Sequence, residues 1–101
     1  MAVAQWIEMS AGLDVDGMEF YNAWRDLQDP ANWPLLRAMV EDQGRTICML
    51  CCSPDFTHPD PTFRENEIAR EKYAIDMAAA LGAKFCRVLS GQRRPEVSLE
   101  D

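Results

Sequence analysis

RTICMLCC, residues 45–52, is a nearly unbroken apolar run that starts after Gly44 and ends at Ser53-Pro54. A short run without polar alternation fits a strand covered on both faces, as in parallel sheets. The residues before it have a different period. Trp33, Leu36, Met39 and Val40 recur at helical spacing over residues 31–43. Asp29-Pro30, or Asn32 with Pro34, can start that helix, and Gly44 can end it.

The same unit of helix, glycine and strand occurs on either side. Toward the N-terminus, Val3, Trp6, Ile7, Ser10 and Ala11 share one face of a helix over residues 2–11. Gly12 can close that helix in the left-handed conformation, and the strand VDGMEFY, residues 15–21, follows. Toward the C-terminus, Asp60 and Pro61 supply a cap and a first turn, with Glu65 and Glu67 near the positive end of the helix dipole. Ile68, Ile75, Ala78 and Ala79 are the expected buried stripe, Gly82 the stop, and KFCRVLS, residues 84–90, the next strand. Strands alternating with helices predict a parallel sheet with right-handed crossovers. The strands near 16–21, 46–52 and 84–89 then lie side by side in chain order, with 46–52 in the middle. An open doubly wound sheet and part of a closed barrel both satisfy this pattern.

Composition narrows the function classes. Hydrophobic residues make up 48% and charged residues 27% of the 101, which is globular. The net charge of −7 argues against a nucleic-acid partner, whose binding rests on Lys and Arg releasing counterions. No apolar run reaches the roughly 18–20 residues that span a bilayer, and MAVAQWIEMS has no basic segment or cleavage pattern, so no membrane partner and a cytoplasmic location are expected. Cys48, Cys51, Cys52 and Cys86 all fall inside apolar runs, where thiols act as small core groups in a reducing compartment. Cys48 and Cys51 have redox CxxC spacing. In redox enzymes that motif opens a helix, whereas here it lies within a strand, so neither redox chemistry nor joint metal ligation is expected.

The ends carry their own expectation. A helix opens the chain with no strand before it, and Ser98 to Asp101 has the form of a capping box that would begin a helix. A full eight-stranded barrel takes about 250 residues. The chain therefore reads as the N-terminal part of one barrel domain, residues 1–101, cut at both ends.

CMLCCSPDFTHPDP (residues 48–61), DMAAALGAKFCRVLSGQRRPEVS (76–98) and VDGMEFY together resemble the sugar phosphate isomerase/epimerase group of xylose isomerase-like barrels. The resemblance implies a partial TIM (β/α)8 barrel, in which this chain supplies the first helix through the fourth strand. It also implies a metal-dependent parent enzyme acting on a sugar or sugar phosphate by proton transfer next to a carbonyl. A divalent ion (Mn, Mg, Co or Zn) would polarise the carbonyl and stabilise the enediolate. In that group the metal ligands come mainly from strands five to eight. No cofactor or metal ligand set is therefore expected within this chain, which is expected to be inactive alone. The alternative from a different class is a non-catalytic α/β module that binds a small ligand or a protein.

Three residues are candidates for substrate binding. Glu19 lies in an otherwise apolar strand, where a carboxylate faces either a polar barrel mouth or an outward basic partner. His58, the only histidine, lies in the loop after the middle strand, which at this end of a barrel builds the site. Arg87 lies in the last strand and needs a carboxylate such as Glu19, or a substrate anion, if it is buried, and can pair with an acidic helix if it is outward. The loop Ser90-Gly91-Gln92-Arg93-Arg94 could hold phosphate or sugar hydroxyls, with Arg94 expected in a solvated turn. Trp24 and Trp33 flank a loop and could line a sugar site, but read first as packing residues.

Overall fold

Three strands pair in parallel in the order β1 (Gly17–Tyr21), β2 (Thr46–Cys51), β3 (Phe85–Arg87), as the repeated unit predicts. The computed structural model describes residues 2–95. The Ser98–Asp101 capping signal lies outside the described residues. Around the sheet run α1 (Val3–Ser10), α2 (Asn32–Asp42), α3 (Pro61–Leu81) and a 3-10 turn at Arg25–Gln28. This is the α/β arrangement of part of a TIM barrel.

One face of the sheet is packed by the helices. Met18 and Phe20 of β1 and Ile47, Leu50 and Cys52 of the middle segment meet Val3, Ile7, Leu36, Val40, Ala74, Met77 and Leu81 in one core. Ile47 and Leu50 are three residues apart, yet both are buried there. An irregularity explains it: Met18 pairs with Ile47 but Glu19 pairs with Met49, so Cys48 is an extra residue on β2. A bulge of this kind breaks the two-residue alternation of a strand. The expectation that residues three apart oppose each other therefore fails locally.

α1 is too short to hold itself together and is fastened at both ends by distant residues. Its first N–H, on Val3, donates to Asp26 Oδ2 at 2.8 Å. At the other end the buried Arg45 guanidinium donates to Ser10 O at 2.8 Å and Ala11 O at 3.1 Å, and also to Leu13 O. Ser10 O also accepts the Leu13 N–H at 3.0 Å, Ala11 and Leu13 follow the helix, and a cation suits the negative end of its dipole. Gly12 does not take the left-handed cap expected of it. Among the described residues, only Gly44 and Gly82 have positive φ, at 73° and 74°. Arg45 performs the capping that the glycine would have done.

α2 begins one residue after Ala31, whose N–H is held by Asp29 Oδ1 at 3.0 Å, and it ends before Gly44. α3 starts and stops where its sequence signals lie. Asp60 Oδ1 accepts the Thr62 N–H at 3.0 Å, Pro61 is its first residue, and Gly82 closes it. Its buried face differs from the expected one. Ile68 and Ile75 are 45% and 50% exposed, whereas Glu67, Glu71, Ala74, Met77, Ala78 and Leu81 are buried. The helix has apolar residues on two sides, so periodicity alone does not choose between them. The alanine-containing side lets the helix approach the sheet and α2 closely.

Trp33 packs in the core and donates through Nε1 to Leu27 O at 2.9 Å. Trp24 meets Trp6 edge-to-face and Phe20 at a tilt, ring centroids 5.1 and 5.3 Å away. Both tryptophans are packing residues. No helix among the described residues is long and apolar enough to cross a membrane.

Candidate functional site

The helices leave the other face of the sheet open, and strand register determines what stands on it. Glu19, Met49 and Phe85 are cross-strand partners in one row, and Tyr21, Cys51 and Arg87 in another. Between them, Phe20, Leu50 and Cys86 point to the helices. In a parallel α/β fold, residues at the carboxyl ends of strands surround the site. Here the register brings Glu19, the central residue of β1, and Arg87, the last residue of β3, onto one face, on either side of Cys51.

Glu19 and Arg87 do not pair with each other. The Cys51 thiol points to Glu19 Oε2 at 3.6 Å, and Arg87 Nη2 donates to Ser53 Oγ at 3.3 Å. Both charged residues are exposed. The sequence alternatives of a buried Arg87 on Glu19, or an outward Glu19 on a basic neighbour, are therefore both replaced. β3 is shorter than expected, and the short strand leaves Arg87 at an open edge. The Cys51 thiol is pushed up by burial, a trend that nearby Arg87 opposes and Glu19 reinforces.

His58 is in the loop between β2 and α3, where the sequence puts it, but its imidazole is engaged locally. Nδ1 accepts the Asp60 N–H at 3.0 Å, and the ring stacks on Phe63 with centroids 4.0 Å apart. Its carbonyl accepts from Arg64 at 2.7 Å. No hydrogen bond among the described residues links it to Glu19 or Arg87.

The loop after β2 is joined to the segment after β3 through Asp55, a residue that sequence reasoning passed over. Its carboxylate is 4% exposed and takes an ion pair from Arg94, the Thr57 hydroxyl at 3.0 Å and the Gln92 N–H at 3.2 Å. The Arg94 guanidinium, helped by those donors, holds the carboxyl well below the usual range, at about 2. Arg94 is thus a half-buried partner and not the solvated turn residue expected, because a buried carboxylate needs a counter-charge. The available signal was Asp55 two residues before Thr57, the spacing of an Asx turn.

Beside this face, an open cleft lies between the carboxyl ends of β1 and β2 and the first half of α3. Asn22, Ser53, Glu67, Arg70 and Glu71 are among its lining residues. The cysteines of the CxxC spacing do not meet. Cys48 Sγ donates to Met18 O at 3.3 Å, and Cys51 faces Glu19.

Residues 7–101 match the family model described as xylose isomerase-like TIM barrel. The chain belongs to that family. The three parallel β/α units are part of its barrel architecture, and the match covers the loop that carries Asp55 and His58. No curated protein matches the chain. A divalent ion of the kind expected for the isomerase group needs several converging carboxylates and imidazoles. The open face described here offers Glu19 as its carboxylate and sets a cation, Arg87, beside it. That donor set does not fit such an ion.

Proposed function

We propose that this barrel segment serves a metal-dependent sugar or sugar phosphate isomerase or epimerase, contributing substrate-binding groups and not the catalytic centre. Glu19 would accept hydrogen bonds from sugar hydroxyls, and Arg87 would hold an anionic substituent such as a phosphate. His58, held by Asp60 and Phe63, would stand at the rim with Nε2 turned to the ligand. The observation that supports this reading is that Glu19 and Arg87 share the open face of the sheet without pairing. Proton transfer next to a carbonyl also needs a base and an electrophile about 3 Å from the reacting atoms. In this reading the rest of the barrel supplies them, and the segment alone is inactive.

The test uses backbone NMR of the chain with sugar phosphates at millimolar concentration, beside an assay of solvent deuterium uptake with Mg²⁺, Mn²⁺ or Co²⁺. Shifts clustered on residues 19–21, 51–53 and 87–90 that vanish in Arg87→Ala, with no deuterium uptake, are expected. Uptake that is lost in Glu19→Gln would show a complete enzyme in these 101 residues. A ligand-independent spectrum would favour the protein-binding module, for which the 63% exposed Phe85 on the same face is the specific support.

A further inference from the structure

A separate group of side chains converges on the helix side of the sheet, away from Glu19 and Arg87. Cys52 follows β2 and is fully buried, Cys86 is the central residue of β3, and Glu71 lies on α3 with 7% exposure. The Cys52 and Cys86 sulfurs are 3.6 Å apart, and Cys86 Sγ is 3.6 Å from Glu71 Oε1. All three ligand atoms lie within 4.8 Å of one another. A tetrahedral zinc ion, with Zn–S about 2.3 Å and Zn–O about 2.0 Å, holds two sulfurs about 3.8 Å apart and a sulfur and an oxygen about 3.5 Å apart. The Cys52–Cys86 and Cys86–Glu71 spacings are close to those around one such ion, and the third pair lies within 4.8 Å.

Glu71 supplies an independent reason to look for a cation. It is more than nine-tenths buried, and among the described residues no Lys or Arg pairs with it. The partners it finds among the described residues are thiols, Cys86 at 3.6 Å and the neighbouring Cys52, which are weak donors. A carboxylate buried without a counter-charge is costly. Glu71 also borders the cleft beside Ser53 and Glu67, so this position is reached from solvent.

We propose that Cys52, Glu71 and Cys86 bind one Zn²⁺ ion, with solvent from the cleft in the fourth position. Binding converts two thiols to thiolates and releases two protons to water, so the bound ion carries two sulfurs and one carboxylate oxygen. Thiolates select zinc over the harder Mg²⁺ and Mn²⁺. The site departs from the expectation of metal-free core thiols. It escaped the sequence because Cys52 and Cys86 are 34 residues apart and meet only through strand pairing. It also lies across the sheet from the proposed sugar face, so either can fail without the other.

The experiment titrates the reduced, chelator-stripped chain with Zn²⁺ against a chromophoric competitor, and with Co²⁺ as a spectroscopic probe. One ion per chain, a sulfur-to-cobalt charge-transfer band and protection of two of the four cysteines from a thiol reagent are expected. Mass mapping should identify the protected pair as Cys52 and Cys86. Cys86→Ser should weaken binding by more than the roughly 100-fold typical of losing an outer-shell partner, and Glu71→Gln by at least about 10-fold. Cys48→Ser should change nothing. Affinity should fall as pH drops, because burial raises both thiols and two protons compete with the ion. No charge-transfer band, a band that survives Cys86→Ser, or protection of Cys48 or Cys51 would overturn the proposal. Circular dichroism establishes that each variant is folded, and the mass mapping on the unaltered chain decides the matter if a variant is not.

Discussion

The Arg94 guanidinium is ion-paired with the buried Asp55 carboxylate, which ties the loop leaving β2 to the segment leaving β3. Phe56 N–H to Ser90 O at 3.1 Å closes the same junction through the backbone. Gly91 passes so close that an added Cβ would collide with Thr57 and with Asp55 Oδ1.

Asp55→Asn should lower the urea midpoint at neutral pH. The folded carboxyl is held at about 2, below its ordinary value of 3.8. Its contribution is therefore complete above about pH 4 and is lost as pH falls through 2. The gap in midpoint between the chain and Asp55→Asn should narrow over that window and nowhere else. A gap that stays constant from pH 6 to pH 2 would mean that the charge on Asp55 does not hold the loops. Gly91→Ala should reproduce the loss without its pH dependence.

Arg45→Met should destabilise the fold by about 1–3 kcal/mol, since three carbonyls at the end of α1 lose a charged donor. Hydrogen exchange should show the loss concentrated in Val3–Ser10. Uniform acceleration across all three helices would contradict the capping role.

Three glycines should not all respond alike to alanine. Gly44→Ala and Gly82→Ala should each cost about 1–2 kcal/mol because their φ values are 73° and 74°. Gly82→Ala should cost about as much as Gly44→Ala, since its Cβ would meet only the movable guanidinium end of Arg37. Gly12→Ala should be neutral or stabilise by up to about 1 kcal/mol, as no positive φ or neighbour opposes it.

On α3, Met77→Ala should cost about 2–5 kcal/mol and Ile75→Ala less than about 1. Met77 is 1% exposed and Ile75 50%. Equal losses in chemical denaturation would restore the isoleucine stripe that the sequence suggested.

The sequence by itself determined the three helix–glycine–strand units, their parallel order with residues 46–51 in the middle, and the bounds of α3 at Asp60 and Gly82. These follow from interactions within a few residues: a cap on the next turn, a left-handed glycine, an apolar period. Glu19, His58 and Arg87 were legible as polar residues in the right strands and loop, but not what each one touches. Tertiary structure decided that α3 buries Met77 and Glu71 in place of Ile68 and Ile75. It also put Glu19 and Arg87 on one face without pairing them, gave Arg94 to Asp55, and brought Cys52 to Cys86. Each of these depends on register between strands and on a bulge at Cys48, set by the summed packing of elements distant in the chain. A change of one residue in that register moves every side chain to the other face, and no local signal in the sequence specifies it.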